Sequence, residues 1–240
     1  GHKGWVGALA YTPDSKNLYS ASTDKTIMVW NLIENTNNVF MNLANTYVRC
    51  LAVSPSGRFL FGGTDDGRLI RWNLDTKEQT VVFQSDGNSI HAVAISSNGA
   101  RIAFADKNGF LRILNATTNR VTTSFAAHSV RIQDVKFSSD DRQLATCSTD
   151  KTVKIWDVNN MNNKPVVINR HDSWVLSIAF SPDGKYLISS TEKGNIYYWP
   201  THAASMAEQI CGYVSRNLTQ REWDTYVGYD VNFQKTCPNK

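Results

Sequence analysis

STDKTVKIWD, residues 148–157, and SPDGKYLISS, residues 181–190, decide the fold. The first is a polar turn leading into a strand-like segment that ends on Trp156. The second is a Pro-Asp-Gly turn leading into an alternating strand. Outward from Trp156, tryptophan recurs at Trp30, Trp72 and Trp199, giving intervals of 42, 84 and 43 residues. The 84-residue gap is twice 42, and its midpoint is Leu114. Five segments therefore end alike: TIMVWN, RLIRWN, FLRILN, TVKIWD and NIYYWP.

The same grammar precedes each segment. An apolar or alternating strand comes first: VGALAYT, VRCLAVS, IHAVAIS, IQDVKFS and VLSIAFS. A tight turn follows: PDSK, PSGR, SNGA, SDDR and PDGK. Then come second strands, NLYSAS, RFLFGG, ARIAFA, RQLATC and KYLISS, and a second turn into the tryptophan strand. A fourth, more variable strand separates the repeats, such as VVFQ or VTTSFA. Pro and Gly fall where turns need a fixed or positive φ. β-Branched content and period-2 alternation indicate strands throughout. Four short strands per repeat of about 40–45 residues is the unit of a β-propeller blade.

Composition agrees with a globular chain. The 240 residues are 41% hydrophobic and 19% charged, which excludes disorder. No apolar run approaches the roughly 18–20 residues of a membrane helix, so a membrane is not an expected partner. The start, GHKGWVGALA, lacks a signal-peptide pattern. The net charge of +4 is diffuse, and residues 201–240 carry four basic and four acidic side chains. Without a Lys/Arg run, nucleic acid is not an expected partner either. Cys50 and Cys147 lie in apolar strands and read as small buried hydrophobes. Cys211 and Cys237 lie near the C-terminus, where they are able to pair, but a reduced cytosolic thiol state is the expectation. No phosphate loop, H-E-x-x-H or G-x-S-x-G occurs, so no catalytic residue, metal or cofactor is assigned.

Gly1-His2, the Trp156-Asp157 dipeptide and the two stretches quoted first carry a resemblance. Over about residues 1–200 the chain resembles the WD-repeat (WD40) family. The fold class is all-β: a propeller of four-stranded WD40 blades, divided at about 1–42, 43–84, 85–126, 127–169 and 170–200. The resemblance implies a bracing tetrad per blade: a His before the first strand, a Ser/Thr on the second, an Asp in the next turn and the Trp. Transferred by register, it gives His2, Ser22, Asp24 and Trp30 in blade 1, and His128, Ser148, Asp150 and Trp156 in blade 4. Blade 2 supplies Thr64, Asp66 and Trp72, with Ala44 at the His place. Blade 5 supplies His171, Thr191 and Trp199, with Lys193 at the Asp place. Blade 3 has Asp86, Asp106, Asn108 and Leu114 at the four places. A Ser-His-Asp set of this kind also suits a hydrolase. Its recurrence once per period argues instead for mutual satisfaction of buried polar groups.

The resemblance also implies that partners bind the loop-bearing top face through three places per blade. These are Trp5, Gly7 and Thr23; Tyr47, Arg49 and Asp65; Ser89, His91 and Lys107; Arg131, Gln133 and Thr149; and Trp174, Leu176 and Glu192. Trp5, Tyr47 and Trp174 are extra to the blade tryptophans, and aromatic and Arg side chains are favoured at binding hot spots. Arg49 and Arg131 suit a carboxylate or phosphate.

Residues 201–240 break the period and read as a helical cap. Met206, Ile210, Tyr213 and Val214 have helical spacing. Thr219-Gln220-Arg221-Glu222 is a capping box opening a helix with Trp223, Tyr226 and Val227 on one face. The remaining GYDVNFQKTCPNK reads as an extended end. The run AEQICGYVSRNLTQREWDTYVG…KTCP is similar to the ending of bacterial WD-repeat proteins with an upstream STAND-class NTPase or caspase-like protease. That similarity implies a cytoplasmic, non-catalytic sensor propeller, with a protein or peptide on its top face and an NTPase domain of the same parent chain as partner. A standalone scaffold subunit is the alternative. An enzyme with chemistry at the central channel is the third reading, and its acids and bases are only scattered. Five repeats use 200 residues, and WD propellers usually have seven blades. The chain is therefore expected to be the C-terminal portion of a larger ring, with a closed five-blade ring as the alternative.

Overall fold

The computed structural model describes residues 1–201 and 216–226, together with residues 235 and 237. Nineteen strands among the described residues form five separate antiparallel sheets. Blade 1 holds β1 (Val6–Tyr11), β2 (Asn17–Ser22), β3 (Thr26–Asn31) and β4 (Thr36–Asn42). Blade 2 holds β5 (Val48–Val53), β6 (Phe59–Thr64), β7 (Arg68–Asn73) and β8 (Gln79–Gln84). Blade 3 holds β9 (Ile90–Ile95), β10 (Arg101–Asp106), β11 (Phe110–Asn115) and β12 (Arg120–Ala126). Blade 4 holds β13 (Ile132–Phe137), β14 (Gln143–Ser148), β15 (Val153–Asp157) and the short β16 (Val166–Ile168). Blade 5 has three described strands, β17 (Val175–Phe180), β18 (Tyr186–Thr191) and β19 (Ile196–Pro200). The inner strands β1, β5, β9, β13 and β17 pack in sequence order, which makes this an all-β propeller arrangement.

Turn chemistry explains the meander. The turn before the tryptophan strand has a left-handed residue at one register in every blade: Lys25, Gly67, Gly109, Lys151 and Gly194. At Gly67 a side chain would strike Ser85 and the carbonyl of Asn88, so only glycine fits.

One apolar cluster fills each junction between blades. Tyr19, Ile27 and Phe40 meet Leu51, Leu60 and Trp72 between blades 1 and 2. Phe61 and Leu69 meet Ile90, Phe104 and Leu114 at the next junction. Leu111 and Ile113 meet Ile132, Leu144 and Trp156. Val153 and Ile155 meet Val175, Ile178 and Leu187. Cys50 and Cys147 are free and buried in these clusters, and burial pushes the Cys50 thiol up to about 12.

The two end blades have a face without such cover. Leu51, Val93, Val135 and Ile178 are buried, whereas Leu9 at the same register in blade 1 is 58% exposed. Ile27, Leu69, Leu111 and Val153 are fully buried, whereas Ile196 in blade 5 is 73% exposed.

Beyond the sheets, α1 (Gln220–Tyr226) opens on the expected capping box. The Thr219 hydroxyl accepts from the Glu222 amide at 3.3 Å, and Glu222 accepts from the Thr219 amide at 2.8 Å. Arg216 pairs with Glu222 at 2.7 Å, and Trp223 is buried. Cys237 is disulfide-bonded, which departs from the reduced state expected of it. Met206, Ile210, Tyr213, Val214, Val227 and Cys211 lie outside the described residues.

Candidate functional site

The polar braces sit inside the blades. In blade 4 the Trp156 indole N–H donates to the Thr146 hydroxyl at 3.0 Å, and that hydroxyl lies 2.8 Å from His128 Nε2. His128 Nδ1 lies 2.9 Å from Asp150, which also accepts from the Thr152 hydroxyl at 2.7 Å. One proton order satisfies all of these: indole to hydroxyl, hydroxyl to Nε2, and Nδ1–H to carboxylate. Burial lowers the His128 pKa and keeps the ring neutral. Burial alone would raise Asp150, but hydrogen bonds from His128 and Thr152 hold it well below the carboxylate range. Blade 1 repeats the series, with Trp30 to Ser20 at 2.7 Å, Ser20 to His2 at 2.7 Å and His2 to Asp24 at 3.0 Å.

The hydroxyl is thus Ser20, not Ser22, and Thr146, not Ser148. Residues two apart in a strand share a face, so both are eligible by alternation. The indole reaches the one deeper in the strand. Ser22 and Ser148 instead cap the following turn, accepting from the amides of Asp24 and Asp150 at 3.1 Å each. Ser148 also donates to the main-chain carbonyl of Arg131 at 2.8 Å, so it is not a nucleophile beside a base. Blade 5 shows the same displacement. Ser189, not Thr191, takes the Trp199 indole at 2.9 Å and faces His171 Nε2 at 2.8 Å. Lys193, at the Asp place, lies 3.7 Å from Asp172.

Blades 2 and 3 depart further. The hydroxyl register falls on Gly62, so the fully buried Trp72 indole N–H has no acceptor. Thr64 and Asp66 close the turn together instead. In blade 3 the register falls on Phe104, and Leu114 replaces the tryptophan. Fully buried Asp106 there pairs with Arg112 at 2.8 Å and accepts from the amides of Asn108 and Phe110 at 2.9 and 3.1 Å. Arg112 escaped the sequence reading, because no blade position calls for an arginine. Its signal is an isolated charge in the apolar run FLRILN.

All five blades also share a device at the end that carries these turns. The β1–β2, β5–β6, β9–β10, β13–β14 and β17–β18 ladders each break register once, at Gly7, Arg49, His91, Gln133 and Leu176 respectively. A β-bulge of this kind re-aims its side chain. One main-chain bond also recurs, from Thr23 N to Trp5 O, Asp65 N to Tyr47 O, Lys107 N to Ser89 O, Thr149 N to Arg131 O and Glu192 N to Trp174 O, at 2.9–3.2 Å. It clamps the turn before the tryptophan strand to the segment entering the inner strand. The fifteen positions transferred by register therefore lie together at one end of the blades.

Their surroundings differ. Trp5 is 86% exposed and Trp174 43% exposed. Tyr47 is half-buried, and the Arg49 guanidinium stacks 4.9 Å from its ring centre. Arg49 also donates to Asp65 at 2.6 Å. His91 pairs with the Ser89 hydroxyl at 3.0 Å. Burial, then the charges of Arg49 and Arg131, lower its pKa to about 4. Lys107 reaches the Gly87 carbonyl at 3.3 Å, Glu192 is exposed, and Gln133 is half-buried. No cluster of three or more His, Cys, Asp or Glu able to hold a metal occurs among the described residues. No described helix is long and apolar enough to cross a membrane.

Part of the chain is 36% identical over 61 residues to human DDB1- and CUL4-associated factor 10, covering 25% of this chain and 11% of that protein. A match of 43% identity over 56 residues is to nuclear distribution protein PAC1 of Tuber melanosporum (strain Mel28), covering 23% of this chain and 12% of that protein. Another, of 48% identity over 58 residues, is to periodic tryptophan protein 2 of Arabidopsis thaliana, covering 24% of this chain and 6% of that protein. The matches thus span about one eighth or less of these relatives' length. A chain of the "Crystal Structure of Mitotic Checkpoint Complex" superposes with a TM-score of 0.73 at 17% identity, covering 82% of this chain and 62% of that one. That likeness speaks for the fold. The family described as "WD domain, G-beta repeat" matches residues 1–31, 40–73, 119–157 and 163–200, skipping the stretch in which Leu114 replaces tryptophan. With five antiparallel sheets on one repeat and four repeats matched, the chain belongs to the WD40 (WD domain, G-beta repeat) family.

Proposed function

We propose that this chain is a non-catalytic protein-interaction propeller that takes a protein or peptide partner on its loop-bearing end. One observation carries the reading. The bulge and the main-chain clamp recur in all five blades, yet the side chains they present differ from blade to blade. A feature fixed in the backbone and varied in its side chains is suited to recognition. The His and Asp groups of blades 1 and 4 are engaged in bracing, which takes those two pairs out of acid-base chemistry. The name of one relative, DDB1- and CUL4-associated factor 10, describes a protein that associates with other proteins. The test is capture of partners from the native source with the chain and with the Trp5→Ala/Tyr47→Ala/Trp174→Ala variant. Partners retained equally by both would sink the reading.

A finer placement rests on the tail sequence and the end faces. The run AEQICGYVSRNLTQREWDTYVG supports a cytoplasmic bacterial regulator in which an NTPase of the same parent chain is a partner. The named relatives are eukaryotic and favour the alternative, a standalone scaffold subunit. Exposed Leu9 and Ile196, at registers buried in the other blades, support further blades on both sides, as in a seven-bladed ring. The mass of the intact protein from its source decides. A phosphate loop upstream supports the regulator, and a native mass near the 26.9 kDa of this chain overturns the larger ring.

A further inference from the structure

We infer that the loop-bearing end holds an anion site, built by Arg131, His91 and Arg49, for an acidic side chain of a bound protein segment. This rests on the reading of that end as a binding surface, and adds the chemistry of what binds. Arg49 is already neutralised by Asp65, with Nε and Nη2 each 2.6 Å from one carboxylate oxygen. Asp106 is neutralised by Arg112 at 2.8 Å. Arg131 is left over. Its Nε is buried without an acceptor, and its guanidinium makes no hydrogen bond or ion pair among the described residues. A buried guanidinium donor without an acceptor is costly, and a carboxylate or phosphoryl oxygen satisfies it with charge assistance.

His91 supplies the second group. The bulge at the start of β9 sets it out of the ladder, on the strand that packs between β5, which carries the bulged Arg49, and β13, which the Arg131 segment enters. The groups that act on it are Arg49, Arg131, Asp65 and Asp106, with the Ser89 hydroxyl on Nε2 at 3.0 Å. Its Nδ1 makes no hydrogen bond among the described residues. Burial, together with the charges of Arg49 and Arg131, keeps the ring neutral in the free protein. An anion placed between them reverses that field and favours the imidazolium, which then donates to the anion as well. Binding is therefore coupled to proton uptake and strengthens as pH falls through the His91 pKa of the bound state toward the lower pKa of the free protein. Tyr47, under the Arg49 guanidinium, and the exposed Trp174, at the same position as Arg131 in the next blade, offer apolar surface for the flanking residues of such a segment.

Fluorescence anisotropy with the full chain tests this. The probes are a labelled peptide of alternating Glu and Phe, its Gln counterpart, and one with phosphoserine at the Glu places. The Glu peptide is expected to bind about tenfold or more tighter than the Gln peptide, and about tenfold weaker to Arg131→Gln. Arg131→Lys, which keeps the charge and guards against misfolding, recovers part of that loss. Lys164→Gln, in the loop after β15 at the opposite end, changes nothing. Binding is expected to tighten from pH 7.5 to 5.5, and less so in His91→Gln. NMR titration of the His91 ring should show its pKa rising from about 4 on adding the peptide. If phosphoserine replaces Glu with tighter binding and the same Arg131 dependence, the source of the anion is a phosphoryl group. Equal binding of the Glu and Gln peptides, or binding indifferent to Arg131→Gln, overturns the anion site but leaves the interaction reading standing. The interaction reading fails separately, through the aromatic triple variant.

Discussion

At the scale of single residues, one indole distinguishes blade 2 from blades 1 and 4. Trp72 and Trp156 are both buried blade tryptophans, but only Trp156 donates to a hydroxyl, Thr146 at 3.0 Å. Trp→Phe removes similar volume at both sites. At Trp156 it also leaves Thr146 without one partner of its chain. Trp156→Phe is therefore expected to cost about 1 kcal/mol more than Trp72→Phe in urea unfolding. Equal losses would mean that the brace adds nothing beyond packing. Asp106 and Arg112 make a sharper case. The carboxylate is fully buried and holds a charge as well as two turn amides. Asp106→Asn leaves the Arg112 charge without its counterion, and about 3 kcal/mol should be lost. Asp106→Asn/Arg112→Leu should recover much of it, because the stranded charge goes too. The tetrad was only half legible for a related reason. His2, Asp24 and Trp30 each have one eligible position in their segment, whereas Ser20 and Ser22 are the same residue type on the same strand face. Only the reach of the indole separates them.

At the scale of elements, the period of tryptophans was enough to place every blade, because alternation and turn residues repeat with it. Even blade 3, with Leu114 for Trp and Phe104 for the hydroxyl, folds as β9–β12, since Leu114 still fills its junction. The five bulges were not legible as such. A bulge is one unpaired residue in a ladder, and neither alternation nor residue type marks it when its side chains are Gly, Arg, His, Gln and Leu. Strand length was legible only loosely. β16 pairs with β15 over Val166–Ile168 alone, whereas β4 pairs with β3 along its whole length. Val166 and Val167 are half exposed, so little apolar burial holds β16 in place. Native-state hydrogen exchange should find β16 opening before β4, β8 and β12. Protection of Val167 equal to that of the β12 amides would contradict this.

At the scale of the whole molecule, stability and assembly follow from what is buried at the junctions. His91, His128 and His171 all have pKa values lowered by burial from the ordinary 6.5. The unfolded chain then binds more protons than the folded one below pH 6.5, so stability falls as pH drops through that value toward the folded pKa of each ring. Each histidine adds at most about 1.4 kcal/mol per pH unit to the slope. Asp24 and Asp150, held below the carboxylate range, withdraw their share only below about pH 4. The urea midpoint should therefore drop between pH 7 and 5, and His91→Gln should flatten the drop. A flat profile in the wild-type chain would exclude neutral buried imidazoles. The same junctions give the test of the end faces. Leu69 and Ile196 occupy one register, but the first is fully buried by the next blade and the second is 73% exposed. In this chain Leu69→Ala should cost about 3 kcal/mol, and Ile196→Ala almost nothing. If further blades cover that face in a longer protein, Ile196→Ala there must cost as much as Leu69→Ala does here. A cost near zero in both settings would mean that the face of blade 5 is left to water, and that the ring is not continued past it.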